Sequence, residues 1–128
     1  MKRSTRNTLV LAASVLLLFG AYAATVVTYI LSGATTTGAG SAFDNPSADK
    51  TYQAYGSLAA GTGTAAISIQ GSNDGTRWDT VATTTLSLTS ATLAVSAGMT
   101  TTDRYAYSRA NITSLSGSTP TVTVTRSY

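Results

Sequence analysis

Residues 71–80, Gly-Ser-Asn-Asp-Gly-Thr-Arg-Trp-Asp-Thr, gather two carboxylates, a guanidinium, an amide and the chain's one indole into a short stretch. Such side chains suit two tasks. Arg77, Trp78 and Asp79 could form a rim that stacks a sugar or holds a cation. Alternatively Asn73, Asp74 and Gly75, which tolerate left-handed backbone, could close a β-hairpin whose Trp78 is core. Catalytic chemistry has few openings here. The chain has no His and no Cys, and it also lacks Glu, so thiolate or imidazole metal sites and Cys or His nucleophile pairs are excluded. Asp44, Asp49, Asp74, Asp79 and Asp103 are the only acids. No partner among them marks a general base, and Gly71–Gly75 lacks the Lys and helix of a phosphate-binding loop. The reading is a non-enzyme, with no cofactor and no metal.

The elements that must position this stretch follow a period of two. Ala66–Gln70 puts Ile67 and Ile69 on one face. Thr121–Thr125 puts Val122 and Val124 inward and its three Thr outward. Arg104–Thr113 puts Tyr105, Tyr107, Arg109 and Asn111 on one side, and Ala106, Ser108, Ala110 and Ile112 on the other. Tyr105, Tyr107 and Arg109 are therefore a candidate contact face. Trp78–Leu88 and Ala91–Ala97 add two runs rich in β-branched residues. Gly, Ser and Asn clusters separate the runs, and no helical pattern intervenes. The spacing predicts an all-β fold over 51–128, a small antiparallel β-sandwich or jelly roll. In it Trp78 packs beside Ile67, Ile69 or Val81.

The first half of the chain reads differently. Residues 1–7 are a basic tail carrying Lys2, Arg3 and Arg6, which hold the whole +3 charge. Beyond them Lys50, Arg77, Arg104, Arg109 and Arg126 balance the five Asp. No basic groove for nucleic acid is evident. Residues 8–31 form an almost unbroken apolar run, about 36 Å long as a helix, enough for a bilayer core. It predicts one N-terminal hydrophobic, transmembrane-type α-helix built on Leu9, Val10, Leu11, Val15, Leu16, Leu17, Leu18, Phe19, Val26, Val27, Ile30 and Leu31. The positive-inside rule puts the N-terminus on the cytoplasmic or interior side and the β domain opposite. Two rivals stand beside this: a cleaved signal ending at Ala21-Tyr22-Ala23, and a helix buried in the core of an assembly. Residues 32–50, rich in Gly, Ser and Thr, read as a linker.

The stretch from Ile67 to Val81, followed by Arg104–Thr113 and a last Thr-Val-Thr-Val-Thr strand, resembles the Ser-Asn-Asp-Gly-x-x-Trp hairpin of discoidin-like β-sandwiches. It looks still more like the short β-sandwich modules of phage and other viral structural proteins. That resemblance implies a core Trp78 and a structural protein of a virion, and the apolar run of residues 8–31 would make it a membrane-anchored, capsid-associated one. Its partners would be copies of itself, other structural proteins of the assembly and a lipid bilayer. A domain of this size buries too little surface to be comfortable alone, which favours association. The alternatives are a pilin-like filament subunit, although no Glu and no prepilin cleavage site are present, and a membrane-tethered module binding a glycan through Trp78.

Overall fold

The computed structural model describes residues 25–45, 47–96 and 98–128. Over these the chain is all-β. The strands are β1 (Val27–Ala34), β2 (Gly38–Ala39), β3 (Phe43–Asp44), β4 (Lys50–Ser57), β5 (Thr62–Ser72), β6 (Asp79–Thr89), β7 (Ala94–Val95), β8 (Met99–Thr101), β9 (Tyr107–Leu115) and β10 (Thr121–Ser127). Two antiparallel sheets result. The first runs β1-β10-β4-β7, with β8 also on β4, and the second runs β2-β9-β5-β6, with β3 also on β9.

Alternation drives the layering. Tyr52 and Ala54 of β4 and Val122 and Val124 of β10 point inward from the first sheet. Ala65, Ile67 and Ile69 of β5, Leu86 and Leu88 of β6, and Ala110 and Ile112 of β9 meet them from the second. Each large apolar side chain moved into this layer contributes about 1.5–3 kcal/mol. The faces expected for Ile67, Ile69, Val122 and Val124 hold, as does the split along β9 between buried Ser108, Ala110, Ile112 and the outward Tyr107, Arg109, Asn111.

The N-terminal expectation is corrected where the structure describes it. Leu9, Val10, Leu11, Val15, Leu16, Leu17, Leu18 and Phe19 lie outside the described residues. Val27, Ile30 and Leu31 are strand residues of β1, paired with β10, and Ile30 is 1% exposed in the sandwich core. Residues 25–30 are all β-branched or aromatic, a composition that favours a pleated ladder over a helix. The helix therefore cannot extend to Leu31. Among the described residues no helix is long and apolar enough to cross a membrane. Val26 precedes β1, and its amide and carbonyl exchange hydrogen bonds with those of Tyr128 at 3.2 and 3.3 Å.

The stretch expected as a linker is also part of the sandwich. It holds the end of β1 and all of β2 and β3, which pair with β9 through Gly38–Ile112, Ala39–Asn111, Phe43–Ser108 and Asp44–Tyr107. Ladder bonds come from the backbone, so two-residue strands form without any side-chain pattern to announce them.

Candidate functional site

The β5–β6 connection is a loop built around one carboxylate. Asp74 Oδ1 accepts the amides of Thr76 and Arg77, each at 2.9 Å. Its Oδ2 accepts Arg77 Nε at 2.9 Å and pairs with Nη2 at 2.8 Å. Ser72 Oγ accepts the Gly75 amide at 2.9 Å, and Gly75 takes a φ of 69° that side-chain-bearing residues rarely adopt. The Arg77 amide first, then the Thr76 amide and the guanidinium, hold the Asp74 carboxyl well below the usual carboxylate range. Asn73, Asp74 and Gly75 thus open the connection between β5 and β6, which runs over residues 73–78.

Trp78 is not in the core. It is half-buried, and the Arg109 guanidinium lies 4.0 Å from its ring centroid. The cause is a β-bulge. Ile69 pairs with Ala82 but Gln70 pairs with Thr80, so Val81 is an extra residue in β6. An inserted residue reverses which face the following residues occupy. Counting back by twos from buried Leu88 and Leu86 would aim Trp78 inward. The bulge turns Thr80, and Trp78 two residues before it, to the outer face of the second sheet. There Gln70 Oε1 accepts Arg109 Nε at 2.8 Å.

Tyr105 and Tyr107 do not share a face. β9 starts at Tyr107, and the ring of Tyr105 lies against Gly71, whose inward phase follows from Ile69. Its hydroxyl donates to Asp79 Oδ2 at 2.8 Å, and that carboxylate raises the Tyr105 pKa. Of the proposed contact face, Arg109 and Tyr107 stay together and Trp78 joins them, while Tyr105 closes the end of the sandwich. An open cleft of about 310 Å³ there is lined by Asn73, Asp74, Arg77, Asp79 and Tyr105.

Behind Tyr105 lies a buried polar cluster that the sequence pattern does not announce. Lys50, with an inaccessible side chain, pairs with Asp103 Oδ1 at 3.2 Å and donates to the Asp103 carbonyl at 2.8 Å. Asn45 Nδ2 donates to the Tyr105 carbonyl at 2.9 Å. Arg126, 3% exposed, donates to Ser108 Oγ at 2.7 Å. A signal did exist, since Lys50 is the single Lys beyond the tail and opens a strand whose other residues are uncharged.

The outer face of the first sheet is different again. Its outward residues are Val27 and Tyr29 on β1, Thr and Ser on β10, Thr51, Gln53 and Tyr55 on β4, and Val95 on β7, with none of them charged. Val27, Tyr29 and Val95 are 57%, 59% and 55% exposed.

No family model matches this chain, and no curated protein does. Among solved structures it is similar to the crystal structure of PBSX exported protein XepA, at 13% identity and a TM-score of 0.49. The match covers 80% of this chain and 36% of that one, so this chain spans about a third of the length of its neighbour.

Proposed function

We propose that this chain is a non-enzymatic structural module that works by packing its β-sandwich against copies of itself and other structural proteins. A virion is the assembly that the sequence resemblance implies. The observation that carries the reading is the uncharged outer face of the first sheet, with exposed Val27, Tyr29 and Val95. A face without charge gives little defence against lateral packing. The carboxylates point the same way. Asp103 is committed to Lys50, and the two that share a cleft, Asp74 and Asp79, already hold Arg77 and the Tyr105 hydroxyl. Glycan binding would use Trp78, but Arg109 covers one face of that indole.

The test is sedimentation of the full chain beside Tyr29→Lys and Val95→Lys variants. The wild type should form assemblies larger than a dimer, and the variants, folded by circular dichroism, should lose them. Assemblies of unchanged size in both variants would end this reading.

A further inference from the structure

The outer face of the second sheet carries a self-complementary pair of charges. Asp44 of β3 lies directly across from Tyr107 of β9, and Arg109 follows two residues along on the same face. Within the strands, the outward residues of this sheet include these two charged side chains and no others. Asp79 pairs with inward-phased Gly71 and is held by Tyr105. Diagonal neighbours of this kind are roughly 7–8 Å apart, within reach of a long side chain. Arg109 is instead held by Trp78 and Gln70, and neither residue is in an ion pair among the described residues.

Arg109 is nonetheless held ready. Trp78 supports its guanidinium at 4.0 Å, and Gln70 takes its Nε proton at 2.8 Å. Among the described residues its two terminal amino groups have no hydrogen-bond partner. They form the planar fork that takes a carboxylate in two parallel bonds. Side-chain entropy is already spent in holding that fork, so a partner gains more from it.

We propose that this face is a two-fold interface with a second copy of the chain. A two-fold axis lying in the interface, beside Tyr107, brings Arg109 of one copy to Asp44 of the other, and the reverse pair forms with it. A closed dimer requires this reciprocity. Trp, Tyr and Arg are the residues that most often anchor protein interfaces, and Trp78, Tyr107 and Arg109 sit together here. The inference rests on the chain being an assembly module, but it uses the sheet face opposite to the one described above.

The experiment reads Trp78, the single indole, by acrylamide quenching of the full chain across a concentration series, with sedimentation alongside. Quenching should fall as the wild type associates. Arg109→Asp and Asp44→Arg should each raise the dimer dissociation constant roughly tenfold or more, and their combination should restore it. Arg109→Gln, a milder change, should weaken the dimer without disturbing the fold. Tyr29→Lys should leave Trp78 protection intact, so failure at one sheet face is distinguishable from failure at the other. Concentration-independent quenching overturns the proposal, and so does a double exchange that fails to restore association. If polygalacturonate protects Trp78 and concentration does not, the occupant is an acidic glycan and not a second copy.

Discussion

Asp103 sits among hydrogen-bond donors and one cation. Its burial works against ionisation, but the neighbouring Thr101 hydroxyl, the Lys50 ammonium and the Tyr105 amide outweigh it and hold the carboxyl below its ordinary range. A carboxylate depressed in this way adds stability above the unfolded-state value near pH 4, and the contribution fades as pH falls through the folded one. Tyr52 behaves in the opposite sense. Burial, partly offset by the Ser108 hydroxyl, raises its pKa, so its contribution is present below about pH 10 and disappears above. Asp103→Asn should therefore cost about 3–5 kcal/mol near neutrality, because Lys50 would stay buried without its counter-charge. It should also flatten the acid limb of the stability profile, while Tyr52→Phe flattens the alkaline limb. Urea unfolding between pH 3 and 11 measures both. An acid limb unchanged in Asp103→Asn would mean that the pair does not carry the pH response.

At the scale of elements, the closing segment before β9 depends on one missing side chain. A methyl group on Gly71 would collide with the Tyr105 ring, so Gly71→Ala should destabilise by about 1–3 kcal/mol. In a Tyr105→Ala background the same change should cost much less, and a double-mutant cycle by urea unfolding measures the coupling. The hairpin also shows what a sequence can disclose. Ile67, Ile69, Val122 and Val124 were legible because strict alternation fixes a face. Trp78 was not, because the single extra residue at Val81 reverses the phase of everything before it and leaves no mark in composition. β1 was obscured for another reason. Val26–Leu31 continues an apolar run, and apolarity alone does not separate strand from helix. The β-branched character of Thr25, Val26, Val27, Thr28 and Ile30 was the signal available. Tyr105 was misplaced by extending the β9 alternation two residues beyond the strand.

The molecule as a whole combines an apolar interior, bordered by one buried ionic cluster, with very uneven surfaces. Its class, a two-sheet antiparallel sandwich, was legible in the repeated short β-rich runs and the turns between them. Its extent was not, because the Gly- and Thr-rich stretch before Lys50 contributes ladder bonds from backbone alone. One outer face has no charge and the other has one of each sign, so the two are suited to different neighbours. The paired backbones of Val26 and Tyr128 have a separate consequence. Residues 26 and 128 lie side by side, so the described strands are close to a ring whose cut could lie elsewhere. Joining residue 128 to residue 25 through a short Gly linker, and opening the exposed bend between Ala91 and Thr92, should give a circular permutant with the same sheets. Its amide exchange pattern in β5, β9 and β10 should match that of the parent. Loss of protection in β10 would show that the order in which the chain visits the strands matters to this ring as well as their final contacts.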